Sequence, residues 1–376
     1  VTGLPAAERW FLRRGLPAVL TPGARWRGVV ARSAPGLAAW AVLMVCSLLV
    51  LIGSENREID IDDDPGPGQW FALAVLVLML PLMAAAAWAT ARCRADRTRR
   101  TVAAVSIAAG LASDLYQDGP RHALSDTLLD LAVIAAILVI TGTGLGAVLA
   151  WALRVTATHL ASVGHLVARA LPVVLLTVLV FFNGYVWSMA ATISAARLWV
   201  VVAFMAAVAI SFLVTSLLDR VRPMLAGAAA DEQDHDRLDG SPFAGLPDPD
   251  DVAPLRRIER ANVLFVAVTT QVVQIVMVSL ATSAVFLALG LLMLSPPLLT
   301  KWTSGATAPS VWLGFTVPVP AALLHVAIFL GALTFMYISA RTIADAEYRR
   351  EFLDPLVDDL RLTLVARHRY RARVTG

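Results

Sequence analysis

ANVLFVAVTTQVVQIVMVSLATSAVFLALGLLML, residues 261–294, decides the fold. It is 34 residues long and carries no charge. An apolar run beyond about 18 residues reads as a transmembrane helix. At ~1.5 Å rise per residue it would measure roughly 50 Å, longer than a ~30 Å hydrocarbon core, so it should tilt or project beyond the bilayer. Thr269, Thr270, Gln271 and Gln274 make it the long apolar run with the densest uncharged polar cluster.

The whole chain shares this character. Of 376 residues, 58% are hydrophobic and 16% charged, with mean hydropathy +0.71; a soluble domain carries about 25% charge. That composition excludes a set of soluble domains and fits a multi-span membrane protein. The basic residues are arginines apart from Lys301. Cys46 lies in an apolar run and Cys93 in a basic loop; their spacing suggests neither a metal site nor a disulfide.

The expected architecture is an all-α polytopic helical bundle of eight spans. Residues 1–33 form an Arg-rich cytoplasmic segment with Trp10, Phe11, Leu12, Leu16 and Leu20 interleaved. It reads either as a helix at the headgroups with snorkelling arginines or as an ordinary positive flank. It does not look like a cleaved signal peptide. The bundle occupies 34–340, with spans near 34–53, 69–91, 101–117, 130–153, 167–189, 196–218, 261–294 and 319–340. A cytoplasmic tail, 341–376, follows.

Thr101–Gln117 is the ambiguous piece, because its apolar part is brief and includes Asp114. Charge placement decides it. If it crosses, 27 Lys and Arg lie inside and four outside, namely Arg57, Arg121, Arg197 and Lys301. If it does not, everything after it flips and the division becomes 14 inside to 17 outside. The positive-inside rule selects the first arrangement, with both termini cytoplasmic in a multi-pass protein of the cell membrane. Trp70, Trp187 and Trp199 then fall at outer ends and Trp88 and Trp151 at inner ends, as interfacial tryptophans should; Trp40 fits poorly.

The connections carry patterns of their own. Residues 154–169, RVTATHLASVGHLVAR, read as an interfacial helix. The loop 219–260 is acidic and Pro/Gly-rich through DEQDHDRLDGSPFAGLPDPDD, which predicts disorder, and its basic end RRIER should anchor the long helix. Residues 295–318 form the longest outer loop. In the tail, Phe352, Leu353, Leu356, Val357, Leu360 and Leu364 share one helical face, and Asp354 before Pro355 is a suitable N-cap. Such a helix packs on the membrane surface or the protein's own inner loops, or docks a partner through 352–376.

The stretches ANVLFVAVTTQVVQIVMVS, EYRREFLDPLVDDLRLTLVARHRY and ERWFLRRGLP together resemble a group of actinobacterial polytopic membrane proteins with no assigned activity. The resemblance spans most of the chain and rests on general pattern. It implies an integral inner-membrane protein and supplies no catalytic residues.

Five residues form the candidate intramembrane polar site: Thr270, Gln271, Gln274, Asn183 and His325. Thr270, Gln271 and Gln274 can share one helical face. Polar side chains in hydrocarbon must find partners, so they either hydrogen-bond between helices or line a solute path. His325 is the titratable group well inside a clear span, and a buried ionisable group there suggests a proton relay. Gly142 and Gly146 make a GxxxG that would permit close helix approach. The second candidate is the acidic external loop EIDIDDDPG with Asp60, Asp62 and Asp64. Pro65 stands where a calcium loop needs glycine and no glutamate stands at position 12, which rejects an EF-hand. Acidic residues in a first external loop also suit a polyprenyl-phosphate-dependent glycosyltransferase, although this chain is small and its spans few for one. Simple solvation of a negative loop is the plain reading.

The chain shows no phosphate-cradling loop, no Ser/His/Asp arrangement and no zinc spacing, so no cofactor or metal is expected. The Arg clusters suit anionic lipids better than nucleic acid. These readings favour a transport or membrane-assembly component over an enzyme, with the lipid-linked transferase as the alternative.

Overall fold

A computed structural model describes residues 4–53, 66–93, 95–118, 123–159, 178–226, 232–246, 254–305, 309–312, 315–344 and 353–375. The fold is an all-α helical bundle with one short antiparallel hairpin. Five helices are long and apolar enough to cross a membrane, or six if the two that meet at Gly144 form one span. The chain divides into two compact units: residues 1–24, 144–308 and 321–376, and residues 25–143 with 309–320.

The second unit is built on helix Val29–Gly53, which packs against Pro67–Arg92, Asp96–Asp118 and Ala123–Thr143. Trp40, which suited no interfacial position, is 6% exposed in a core with Leu37, Ala103 and Ile134. A Cβ added at Gly110 would strike its ring. Arg32 lies within its helix and donates to the carbonyls of Arg25 (2.6 Å) and Thr141 (3.0 Å). Thr141 is near the C-terminus of its helix, where carbonyls lack intrahelical donors and a cation is favoured.

Thr101–Gln117 belongs to helix Asp96–Asp118, which begins among Arg97, Arg99 and Arg100. Its length, roughly 35 Å, is sufficient to cross. It is absent from the five apolar candidate spans. The expected span 130–153 is two helices, Ala123–Thr143 and Leu145–His159. Gly144 between them has φ +90°, a conformation that glycine adopts without a Cβ penalty. Gly142 and Gly146 therefore do not share a continuous face, and the GxxxG reading fails for that reason.

In the first unit, helices Ala195–Ala226, Arg257–Met293 and Ala321–Ala344 pack together around Ala209, Leu213, Ile275 and Phe335. The long helix has 37 residues, and Pro296 and Pro297 follow its end, where the chain turns. Between hydrocarbon-embedded helices, close approach rather than the hydrophobic effect supplies cohesion. Gly331 provides it here: a Cβ there would lie 2.1 Å from Ser283 Oγ, which itself donates to Ala327 O at 2.9 Å.

The stretch 295–318, expected as a loop, contains regular elements among its described residues. Pro296–Trp302 is helical, and Pro309–Trp312 pairs antiparallel with Phe315–Pro320. Aromatic and β-branched residues favour the pairing; Pro309 and Pro320 face each other at its end, and Pro318 falls where the register shifts. Two tryptophans expected at interfaces are interior: Trp151 is 5% exposed, and Trp187 is fully buried with its Nε1 donating to Phe181 O at 2.6 Å.

Candidate functional site

Helix Arg257–Met293 carries both of the polar centres of the first unit. Toward its middle, Thr270, Gln271 and Gln274 are 2%, 1% and 8% exposed. All three lie on the buried side of the helix. Among the described residues neither Thr270 nor Gln271 makes a side-chain hydrogen bond to another helix. The Thr270 hydroxyl donates to Val266 O of its own helix at 2.8 Å. Both amide atoms of Gln271 are buried and have no hydrogen-bond partner among the described residues. A buried amide without a partner costs on the order of 1–3 kcal/mol, so this one marks either a place for water or solute or a strained resting state.

Asn183 and His325 are elsewhere. Asn183 is exposed and caps helix Gly184–Thr192, its Oδ1 accepting from Tyr185 N at 3.0 Å. His325 Nδ1 lies 2.8 Å from Ala190 O. A carbonyl only accepts, so the ring donates from Nδ1 and ties helix Ala321–Ala344 to Gly184–Thr192. Among the described residues no hydrogen bond joins any two of the five. The candidate acidic residues Asp60, Asp62 and Asp64 lie outside the described residues, as does Phe352. No group of three or more His, Cys, Asp or Glu among the described residues could hold a metal.

The second centre was not foreseen. It is built on Glu259, the lone acid in RRIER, which is 2% exposed. Its Oε2 accepts from Arg256 N at 2.8 Å, satisfying a free N–H at the helix start. Arg367, fully buried, forks onto both carboxylate oxygens, Nη2 to Oε2 at 2.8 Å and Nε to Oε1 at 3.3 Å. Arg371 Nη2 reaches Oε1 at 2.8 Å. Bidentate, charge-assisted contacts of this kind are the strong class of hydrogen bond. Burial pushes the Arg371 guanidinium below its ordinary pKa; Glu259 opposes that shift, and Arg367 and Arg256 add to it. The helix-start position and the acid's place in a first turn were the legible signals; its two partners lie more than 100 residues away.

Around Glu259 three segments meet that the sequence separates. The tail helix, Asp354–Thr375, is enclosed rather than laid on a surface: Leu360, Leu362, Leu364, Val365, Ala366 and Arg369 are all buried. Part of the acidic segment expected to be disordered forms helix Glu232–Leu238 instead, and its residues 231 and 247–251 lie outside the described residues. Its fully buried Asp234 pairs with Arg361 at 2.8 Å, and Arg237 pairs with Asp358 at 2.6 Å. Arg369 Nη2 lies 2.9 Å from His235 Nδ1. The N-terminal segment is packed on the protein rather than a loose flank, for Phe11 is fully buried against Phe243 and Tyr370, with ring centroids 5.3 and 5.4 Å away. Arg14 pairs with Asp359, and Asn262 accepts from Ala18 N at 2.9 Å. Aromatic burial and tail charges overrode the disorder expected from local composition, because the ion partners of the acidic segment are on the tail.

Compared with protein-family models, with curated proteins and with solved structures, the chain matches none.

Proposed function

We propose that this chain is a multi-pass protein of the cytoplasmic membrane that serves as a membrane-assembly component, with both termini in the cytoplasm and eight crossings. One observation carries the reading: the described buried charges join the tail to Glu259 and to the 232–246 region, and the N-terminal segment packs against the same cluster through Phe11. An enzyme or conduit directs such groups toward a substrate. Here they face one another, which suits a protein whose product is a fixed surface beside the membrane. The orientation rests on the uneven placement of arginine. Anionic headgroups are the partners expected for the exposed arginines. Docking of a protein partner by 352–376 would first require release of a helix whose apolar face is already covered.

A second reading, transport of a small uncharged hydrogen-bonding solute, is favoured by Gln271, whose amide offers a donor and an acceptor that find no partner among the described residues. The lipid-linked transferase alternative depends on Asp60, Asp62 and Asp64.

The test replaces the gene in its source cell with three variants and compares each with the deletion. The assembly reading expects Arg14→Ala with Asp359→Asn, which loosens the joined ends, to reproduce the deletion phenotype. Gln271→Leu alone doing so would move the assignment to transport, and the Asp60, Asp62 and Asp64→Asn triple alone doing so would move it to the enzyme. Orientation is tested separately: Asp239→Cys, in a chain with Cys46→Ser and Cys93→Ser, should react with a membrane-impermeant thiol reagent only after the cells are opened.

A further inference from the structure

An open depression of about 560 Å³ in the first unit lies between the start of helix Gly184–Thr192 and the end of Pro296–Trp302. Its polar lining consists of donors without an acid. Lys301, the chain's single lysine, is exposed, and among the described residues no carboxylate pairs with it. Asn183 spends its side-chain oxygen on Tyr185 N, which leaves its amide N–H groups to the depression. The Tyr185 hydroxyl, on a side chain 87% exposed, adds a third donor. The other part of the lining is apolar. Phe182 meets Trp302 edge-on at 6.4 Å, and Leu179 is 71% exposed beside them.

A cation and neutral donors with no carboxylate select an anion, and an ammonium suits a phosphate as a point charge. Tyr and Trp beside a lysine are the residues that hold a headgroup level at a membrane interface. The adjoining exposed apolar surface has no role for a free ion but covers an acyl chain. We infer that this depression binds the phosphate of an anionic phospholipid, with Lys301, Asn183 and Tyr185 on the phosphate and Phe182, Trp302 and Leu179 along the chain. The inference needs only that the protein is embedded in a membrane, and stands apart from the assembly reading.

The test uses the full-length protein in detergent, titrated with phosphatidylglycerol, phosphatidylcholine or inorganic phosphate, with bound molecules counted by native mass spectrometry. One phosphatidylglycerol should bind about tenfold more tightly than phosphatidylcholine, whose quaternary ammonium is repelled by Lys301 and offsets its phosphate. Lys301→Gln should remove that preference and Lys301→Arg should keep it. Asn183→Asp retains the oxygen that caps the helix, so the protein should unfold at the same temperature, yet it places a negative charge in the site and should also abolish the preference. Full retention of the tight lipid in both Lys301→Gln and Asn183→Asp overturns the site. Displacement of the lipid by millimolar inorganic phosphate, with the same dependence on Lys301, overturns the lipid as its source.

Discussion

Glu259 and Gln271 stand twelve residues apart on one helix, each at most 2% exposed, and are treated in opposite ways. The carboxylate receives two arginines and a backbone N–H. The amide has no partner among the described residues. The roughly 18 Å of helix between them separates two environments. Near Glu259 the helix meets segments rich in arginine, whose long side chains bring donors to a fixed point. Near Gln271 it meets Ala209, Leu213 and Phe335, and helices whose backbone groups are already engaged. Burial of a polar group is thus a matter of who can reach it, not of depth alone.

Breaking the first centre should cost most. Glu259→Gln leaves two arginines, one of them fully buried, facing a neutral amide; removing one partner of a buried pair costs about 3–5 kcal/mol. Thermal unfolding of the purified protein should fall accordingly, and trypsin should begin to cut at Arg367, Arg369 and Arg371. A tail that stays resistant would show that its apolar contacts suffice to hold it.

Asp234→Asn tests whether the 232–246 region depends on the same logic. Asp234 is fully buried while Arg361 is partly exposed, so the loss should be smaller, about 1–3 kcal/mol, since Arg361 can turn to water. Proteolysis of this region before the tail is the expected order of events.

The second centre should respond with the opposite sign. Gln271→Leu removes an unpartnered amide and should raise stability by about 1–3 kcal/mol. A drop in unfolding temperature would show that the amide has a partner in the native membrane. The smallest effect belongs to Arg237→Ala, whose pair with Asp358 is substantially exposed to solvent. It should change stability by no more than about 1 kcal/mol, less at high salt. A larger loss would place this contact with the buried pairs.

Much of the bundle was legible because long apolar runs have one stable solution in lipid, and the inward face of Thr270, Gln271 and Gln274 follows from helical spacing. The reading failed where a residue's role depends on a distant segment. Trp187 and Trp151 looked interfacial and are interior. The expected span 130–153 hid a break at Gly144 that hydropathy does not register. Residues 232–238 looked disordered by composition, since nothing local reveals that Arg361 and Arg369 complete them.

By itself, then, the sequence determined the all-α membrane character, the apolar helices and the polar face of the longest one, because hydropathy and period act over neighbouring residues. Only the tertiary structure decided that the two ends of the first unit's sequence close around Glu259, and that Gln271 has no partner among the described residues. Those outcomes depend on contacts between residues more than a hundred positions apart, and no local pattern encodes which arginine will reach which carboxylate.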